Sequence, residues 1–506
     1  MNDKQIKIGA VLSYSSIGMS ILVGLLYTPW MVEQIGESSY GLYTLANSLI
    51  TLFLFDFGLS TATSRFISKY VAEGNYEKAN SLLGAIYKLY VLIDVIICAA
   101  LIIVFFSLEY IYISLSPEEL QTFKVVYCIS AGYSVISFPF VTLNGVLTSF
   151  EKFIQLKFAE IIQRLLSIGL TFAVLYQGLG LYALVASHAL TGLIMLVYKC
   201  ILVRKYTPAR AVFRSHDVGL YRSLFSFSLW STVALLAQRL IFTITPTLLG
   251  IVSDTTQIAI FGIVTTIEGY CYTITTAING MFLPKISRIY AKDSSGKELM
   301  PLMLKVGRFQ FFLNGLLVVG FIVLGQSFVR LWMGESFSDA YYGIVLVILP
   351  GLFYNSLQVG KTAMVVQNKV KEQAYIAVVC GVLNIAISLV VSYFWGAVGA
   401  CVSIFIAYCA KTVLYHIVMH RRMQIDILKF MKACYFKMSP PVVLTLACGL
   451  ALNYFIPDAG WLVFLVKGCL VVAVYCVSMF MLGLSRDEKR MVKETILKHT
   501  ATKRKA

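Results

Sequence analysis

Apolar runs of about 20 residues recur along the whole sequence, and each is long enough for a helix to cross the hydrocarbon layer of a bilayer. Hydrophobic residues make up 58% of the chain and charged residues only 13%, whereas soluble proteins carry about 25% charged residues. A soluble domain cannot bury so much apolar surface. Because the runs are continuous rather than alternating, they disfavour a β-barrel. The sequence therefore predicts an all-α polytopic membrane protein.

Fourteen candidate spans can be drawn by this criterion. Their approximate bounds are 9–29, 40–62, 86–107, 123–146, 159–177, 180–199, 223–252, 258–282, 309–327, 340–362, 374–394, 397–418, 438–456 and 460–484.

Lysine and arginine are concentrated in alternate loops. With the N-terminus in the cytoplasm, the cytoplasmic segments and the span ends beside them hold 36 of the 42 Lys and Arg residues, and the outer loops and adjoining span ends hold Lys124 and Arg330. The positive-inside rule therefore predicts that both termini are cytoplasmic. The net charge of +17 arises from these short loops, so it reflects topology, and we expect no nucleic-acid partner.

The loops between the spans are too short for a catalytic domain, which disfavours a membrane glycosyltransferase or polymerase. The chain also lacks the GxxxxGK[ST] phosphate loop of an ATP-driven pump. His416 and His420 have the helical spacing of metal ligands, but no carboxylate or thiol is clustered beside them. We therefore expect neither an enzyme nor a bound cofactor or metal.

The chain repeats itself weakly at an offset near 218 residues. "SRFISKY" (64–70) matches "PKISRIY" (284–290), and "YQGLGLYA" (176–183) matches "FWGAVGAC" (394–401), which aligns Gly178 with Gly396. Six spans separate the copies, so both cross the membrane in the same direction. This predicts two six-helix lobes related by a parallel pseudo-repeat. The expected division is 1–215 for the first lobe, 216–425 for the second, and 426–506 for two further spans and a basic cytoplasmic tail.

Two stretches carry a family resemblance. "FDFGLSTATSRFISKYVAEGNYEKA" (55–79) resembles the second helix and first inner loop of Wzx-type oligosaccharide-lipid flippases. These belong to the multidrug/oligosaccharidyl-lipid/polysaccharide (MOP) exporter superfamily. "VVQNKVKEQAYIAVVCGVLNIAISLVVSYFWGAVGACVSI" (365–404) resembles the second-half signature of the same family, with one helical asparagine, Asn384, and a Gly-x-x-Gly-Ala turn that begins at Gly396.

The resemblance implies a multi-pass protein of the bacterial cytoplasmic (inner) membrane that works by alternating access. Its implied substrate is a polyprenyl-diphosphate-linked oligosaccharide, moved from the cytoplasmic to the outer leaflet for surface polysaccharide assembly. A proton or a sodium ion would be the coupling ion, and membrane lipids and polysaccharide-assembly proteins would be partners. Family members usually have twelve spans, so fourteen is a departure, and in this number the chain resembles the lipid II flippase branch and the sporulation-associated members.

Five basic residues in or beside the spans are candidates for a cationic, substrate-binding cavity: Arg239, Arg164, Arg65, Lys361 and Lys411. A charge in the hydrocarbon layer costs about 2.5 to 3.5 kcal/mol on insertion scales, so each needs a physical reason. Arg239 lies near the middle of its span, whereas Arg65, Arg164 and Lys361 lie near the predicted cytoplasmic face. The alternative for these three is that they extend to the interface.

Three acidic residues, Asp56, Asp94 and Glu268, are candidates for ion coupling or charge pairing. Glu268 should lie at a depth similar to that of Arg239, and Asp56 near that of Arg164, so each could form a structural ion pair. Alternatively, a buried carboxylate could bind and release the coupling proton. Four tyrosines, Tyr14, Tyr270, Tyr272 and Tyr354, could line the path and stack on sugar rings.

Three other functions stay open at this point. A multidrug/cation antiporter of the same superfamily would need an acidic, apolar cavity, whereas these spans carry more basic than acidic residues. A scaffold of a polysaccharide-assembly complex would not need charges in its spans. A lipid II-type flippase is consistent with the number of predicted spans.

Overall fold

The computed structural model describes residues 3–53, 59–213, 232–276, 283–292, 299–367, 369–486 and 488–490. These residues form helices joined by short loops, without a β-strand in any of the described ranges, so the predicted all-α class is confirmed. The helices are α1 (Asp3–Ile35), α2 (Glu37–Phe53), α3 (Leu59–Ala72), α4 (Tyr76–Ile111), α5 (Pro117–Ser137), α6 (Thr142–Ser149), α7 (Phe153–Tyr176), α8 (Gly180–Tyr206), α9 (Thr232–Phe242), α10 (Thr245–Val252), α11 (Thr255–Thr276), α12 (Leu283–Lys292), α13 (Leu299–Met333), α14 (Ala340–Ile348), α15 (Gly351–Tyr354), α16 (Gln358–Val366), α17 (Val370–Met423), α18 (Ile427–Met431), α19 (Lys437–Phe455) and α20 (Gly460–Ser478).

Ten helices in the described ranges are long and apolar enough to cross a membrane, or up to 11 if the bent pair α9–α10 is one span. The chain is therefore a multi-pass membrane protein, but the predicted count of 14 spans is not confirmed. Helix α17 covers two of the predicted spans. It is interrupted at Gly396, whose φ of 53° and ψ of −131° are not helical.

The chain divides into two compact units. The α13 unit contains Met1–Leu25, Ile263–Lys369 and Ile404–Ala506, and the α5 unit contains Leu26–Gly262 and Val370–Ser403. The division into lobes at residues 215 and 425 stays a prediction.

In the α5 unit, a carboxylate joins the N-terminal ends of three helices. Ser116 and Glu119 form a capping box at the start of α5, which satisfies amide groups that a helix end leaves without partners. The Glu119 carboxylate also accepts hydrogen bonds from Ser38 Oγ (2.8 Å) and Thr255 Oγ1 (2.6 Å). The start of α2 approaches that of α11 so closely that a Cβ on Gly41 would lie 2.0 Å from the Thr255 carbonyl oxygen. Glycine is therefore required at this contact.

Two glycines of the predicted repeat share an unusual backbone conformation in the same unit. Gly178, between α7 and α8, has a φ of +70°, and Gly396, within α17, has a φ of +53°. Both values lie in the left-handed region that side chains disfavour. A Cβ on Gly396 would also lie 2.3 Å from Gln257 Oε1, which accepts a hydrogen bond from the Ala397 amide (2.8 Å). The matched positions of the repeat thus both break a helix.

In the α13 unit, one arginine of α13 joins three C-terminal segments. Arg308 is buried, and its guanidinium donates to both oxygens of Glu488 at 2.7 Å. It also donates to the Ala433 carbonyl at 2.5 Å and the Gly483 carbonyl at 2.7 Å. These two carbonyls belong to π-helical turns at Lys432–Phe436 and Met479–Gly483. The wider helical turn leaves carbonyls that need other partners, and Arg308 supplies them.

A second buried cation links α20 with the α19–α20 loop and α13. Lys467 is 1% exposed, and its ammonium group bonds to Asp458 Oδ1 (2.7 Å) and Asn453 Oδ1 (3.2 Å). Asp458 also accepts a hydrogen bond from Ser327 of α13. Burial alone would raise the pKa of Asp458, but the hydrogen bonds from Lys467 and Ser327 hold it below its usual value. A buried charge needs such partners, so Lys467 has a structural role.

Candidate functional site

The eight predicted site residues are distributed over both units. Lys361, Lys411 and Glu268 belong to the α13 unit, and Arg239, Arg164, Arg65 and Asp94 belong to the α5 unit. Asp56 lies outside the described residues.

The structure brings Lys361 and Lys411 together on one aromatic side chain. Lys361 Nζ lies 3.6 Å from the centroid of the Tyr354 ring, and Lys411 Nζ lies 5.1 Å from the same centroid. Lys411 Nζ is also 5.1 Å from the centroid of the Tyr408 ring. Tyr354 in turn makes edge contacts with Tyr408 (5.3 Å) and Tyr415 (6.0 Å). We call these five residues the tyrosine–lysine cluster.

Helical spacing explains the part of the cluster that lies on α17. Tyr408, Lys411 and Tyr415 follow one another at intervals of three and four, which places them on one face of α17. Tyr354 and Lys361 are seven residues apart, on either side of a 3₁₀ turn at Asn355–Leu357. The two stretches meet only through the tertiary structure, and spacing alone could not predict that contact.

A layer of buried amides fixes the position of Tyr354. The next residue, Asn355, is buried and donates to Asn314 Oδ1 of α13 (3.0 Å) and to Thr275 Oγ1 of α11 (3.5 Å). Gln310 of α13 donates to the Thr275 carbonyl (2.7 Å). Buried polar groups joined in this way restrict the backbone. The 3₁₀ turn that carries the cluster is thus held between two helices.

The cluster places two basic side chains within apolar, membrane-spanning helices. Lys411 is 1% exposed, and it lies within a helix that is long and apolar enough to span a membrane. Both ammonium groups lie against the Tyr354 ring, and like charges that are close together repel each other. A ring face stabilises an ammonium group by about 0.5 to 2 kcal/mol but carries no net negative charge. An anion close to both lysines would therefore reduce this repulsion.

Arg239 lies where the chain bends between α9 and α10. Its guanidinium donates to the Thr51 carbonyl of α2, and the two helices of the pair are bent by 41°. Asn384, the asparagine of the family-like signature, donates to the carbonyls of Leu240 (3.2 Å) and Ile241 (3.1 Å) beside the bend. Asn384 therefore supplies hydrogen bonds to the backbone next to Arg239, as a broken helix in a membrane requires.

The other predicted residues do not form a recognisable cluster in the described part of the chain. Asp94 lies on α4, and its buried Oδ1 accepts no hydrogen bond from the described residues. Arg164 of α7 is exposed, and Arg65 lies on α3. Glu268 of α11 is half-buried. The ion pair of Glu268 with Arg239 stays a prediction because the two belong to different units, and the pair of Asp56 with Arg164 lies partly outside the described residues.

Sequence reasoning missed two polar centres in the spans. Arg308 stands next to a predicted span end, where the positive-inside rule explains an arginine without burial. His188 lies inside the apolar run of α8 and bonds to two other helices through both ring nitrogens. A histidine in such a run is itself a signal, because intramembrane ionisable groups are usually functional.

Solved structures with the same fold include transporters and a flippase. The lipid II flippase MurJ in an inward closed conformation gives a TM-score of 0.74 at 14% identity, over 93% of this chain and 98% of that chain. An inward-facing multidrug resistance MATE family transporter of the MOP superfamily gives 0.66 at 13% identity, over 79% and 98%. A MOP superfamily transporter from Pyrococcus furiosus, described with a binding pocket of reverse polarity, gives 0.59 at 14% identity, over 82% and 95%. The fold is therefore that of the MOP exporters, as the sequence resemblance implied.

Sequence comparison adds the family. Comparison with curated proteins finds no match. A family model described as polysaccharide biosynthesis protein matches residues 8–290, more than half of the 506 residues. The chain belongs to the polysaccharide biosynthesis protein family.

Proposed function

We propose that this protein is a flippase that moves a polyprenyl-diphosphate-linked oligosaccharide from the cytoplasmic to the outer leaflet by alternating access. The observation that carries the proposal is the tyrosine–lysine cluster, in which two cations share an aromatic surface within apolar spans. Family membership and the transporter fold support it. On this proposal the protein works in the bacterial cytoplasmic membrane with both termini inside.

The chemistry of the cluster matches a sugar-diphosphate head group. Lysine binds phosphate as a compact point charge with three donors, and Lys361 and Lys411 together could hold two phosphate charges. Tyrosine rings have apolar faces that can stack on sugar rings and hydroxyls that can bond to sugar hydroxyls. The polyprenyl tail would stay in lipid while the head group enters the protein.

The membrane potential supplies a direction for this movement. It is negative inside, and each negative charge that crosses the full field outward gains about 2.3 kcal/mol per 100 mV. The cationic residues offset the desolvation cost of the diphosphate along the way. A proton or a sodium ion moving inward could then reset the carrier.

Reconstituted flipping of a fluorescent polyprenyl-diphosphate oligosaccharide tests the proposal. Charged hydrogen bonds contribute about 1.5 to 3 kcal/mol, so replacing both Lys361 and Lys411 with glutamine should slow flipping by about tenfold or more. Lys371→Gln is the matched control, because Lys371 also lies near an aromatic ring, at 5.8 Å from the Tyr375 centroid, but is exposed. Unchanged flipping in the double variant, at normal protein abundance, would contradict the proposal.

Two substitutions of Tyr354 test the cluster even if the double lysine variant does not fold. Tyr354→Phe keeps the ring face and should keep most of the flipping rate, whereas Tyr354→Leu removes the face on which both lysines lie and should lower it. Equal rates for these two variants would count against the cluster as the binding site.

A multidrug/cation antiporter is the second candidate, favoured by the similarity of the fold to MATE transporters. Two lysines in the cluster would repel an organic cation, which makes this candidate the weaker one. A drug-susceptibility panel separates the two, because antiporter activity would raise resistance to cationic drugs. Competition by lipid II in the flipping assay would identify the lipid II-type alternative.

A further inference from the structure

A histidine within the α5 unit connects three helices through neutral side chains. His188 of α8 has Nδ1 at 3.3 Å from the Tyr43 hydroxyl of α2 and Nε2 at 3.2 Å from Thr171 Oγ1 of α7. The Tyr43 ring meets the imidazole edge-on at a centroid distance of 5.9 Å. Both ring nitrogens are therefore occupied by hydroxyl groups, and the geometry fixes the orientation of the imidazole.

Further polar side chains lie near both hydroxyl partners of His188. Tyr27 of α1 lies near Thr171, and Asn47 lies one turn from Tyr43 on α2. Asn47 is exposed on the surface of the α5 unit. Tyr43, whose hydroxyl can donate or accept a hydrogen bond, thus contacts the half-buried His188 and lies one turn from an exposed polar side chain.

The partners of His188 suit both of its protonation states. Neutral imidazole needs one donor and one acceptor, whereas imidazolium needs two acceptors. A hydroxyl can donate or accept, so Tyr43 and Thr171 satisfy either state by rotation of their hydrogens. A carboxylate partner would favour the charged state strongly, and a partner that only donates would prevent it. Two hydroxyl partners leave the site free to change charge.

In the part of the chain that the structure describes, the helices around His188 contribute tyrosines to its surroundings. Tyr27 of α1 and Tyr43 of α2 contribute phenols, and Tyr133 of α5 contacts α8 at Gly192, one turn from His188. Helix α6, which also packs on α8, contains no titratable residue. On α7, Arg164 lies two turns from Thr171 and is exposed. The charge on His188 would therefore respond to the proton concentration and not to a fixed ion pair.

We propose that His188, held by Tyr43 and Thr171, is a proton-binding site that couples proton movement to transport. This inference rests on the proposed function, since it assumes that the protein is a carrier. Imidazole is the side chain that changes charge between about pH 5 and 8. A charge on His188 would alter its hydrogen bonds to Tyr43 of α2 and Thr171 of α7. Because α2 and α7 are far from each other in the sequence, protonation of His188 can change how these two helices pack.

The transport test uses proteoliposomes with an imposed pH gradient and the fluorescent lipid-linked oligosaccharide. His188→Gln keeps hydrogen-bonding capacity but cannot titrate, so flipping should lose its response to the gradient while exchange without a gradient continues. His416→Gln is the matched control, because His416 is also a span histidine bonded to a tyrosine, Tyr435, at 3.2 Å. It should keep the native pH response. A native pH response in His188→Gln would overturn the inference.

A second measurement does not depend on transport. The chain has five histidines, so ¹⁵N-histidine NMR of the full-length native protein, compared with His188→Gln, identifies the His188 signals. We expect them to report reversible protonation between about pH 5 and 8, and Tyr43→Phe should shift that transition. A His188 signal that stays constant over this range would overturn the inference even if flipping occurs. Conversely, if the native protein does not flip the lipid, the proposed function is refuted, and the NMR titration alone then shows whether His188 binds a proton.

Discussion

Removing the Arg308 guanidinium should loosen the C-terminal helices from α13. This one group makes four hydrogen bonds, two to Glu488 and one each to the carbonyls of Ala433 and Gly483. Arg308→Ala would leave a carboxylate and two carbonyls without these donors. We therefore expect a large loss of stability from a residue that the proposed transport path does not use.

The expected size follows from two independent considerations. Breaking one partner of a buried ion pair costs about 3 to 5 kcal/mol, and the Glu488 side chain is 26% exposed, which reduces the cost. Burial alone would raise the pKa of Glu488, but hydrogen bonds from Arg308 and Ser485 lower it from 4.5 to about 2. Such a shift corresponds to about 3 kcal/mol at full burial, or about 2 kcal/mol after a discount for solvent screening. We expect a loss of about 2 to 3 kcal/mol.

The pH dependence gives the sign of the effect. Because folding lowers the pKa of Glu488, the stabilisation is present above its unfolded value of 4.5 and is lost as the pH falls toward 2. The native protein should therefore lose stability in acid. Glutamine does not titrate, so the stability of Glu488→Gln should fall less than that of the native protein as the pH is lowered below 4.5.

Equilibrium unfolding in mixed micelles of a mild detergent and SDS, followed by tryptophan fluorescence, measures the free energy of unfolding. Lys305→Ala is the matched control, since Lys305 lies on α13 within one turn of Arg308 but is exposed. It should change the stability by about 0.5 kcal/mol or less. If Arg308→Ala and Lys305→Ala unfold at the same SDS fraction, the four hydrogen bonds do not stabilise the protein and the reasoning is wrong.

Three further predictions concern stability and packing. Gly41→Val should prevent normal folding, seen as loss of a monodisperse peak in size-exclusion chromatography, because its Cβ would meet the Thr255 carbonyl oxygen at 2.0 Å. Gly396→Ala should cost about 1 to 3 kcal/mol in the same unfolding assay, because the residue has a φ of +53°; an unchanged midpoint would contradict this. Asp458→Asn should lower the free energy of unfolding more than Lys467→Met does, because Asp458→Asn leaves the buried Lys467 ammonium without its carboxylate. A larger loss in Lys467→Met would contradict this explanation.

The sequence predicted the fold class well because the length of an apolar run is a local property. The runs that we assigned as spans correspond to long helices, such as α4, α7, α8 and α13. The repeat aligned Gly178 with Gly396, and both have positive φ. The break at Gly396 also shows why the count of spans is difficult to predict, because a single residue decides whether α17 is one helix or two.

The site was harder to predict because its contacts join distant parts of the chain. Lys361, Lys411 and Tyr354 were each candidates, but their meeting depends on a 3₁₀ turn that hydropathy does not reveal. The bonds of His188 to α2 and α7 span 145 and 17 residues. The periodicity of the sequence indicates on which face of a helix a residue lies. Only the packing of the helices shows which residues that face contacts.

The order of synthesis gives the Arg308 contacts a further consequence. Its acceptors follow it in the sequence by 125 to 180 residues, so they leave the ribosome after α13 has been made. The nascent chain therefore holds a cation near the membrane until α19 and α20 have been made. Docking of α19 and α20 then brings the acceptors of Arg308 into place, and a chain shortened before them would present quality-control proteases with an unsatisfied charge.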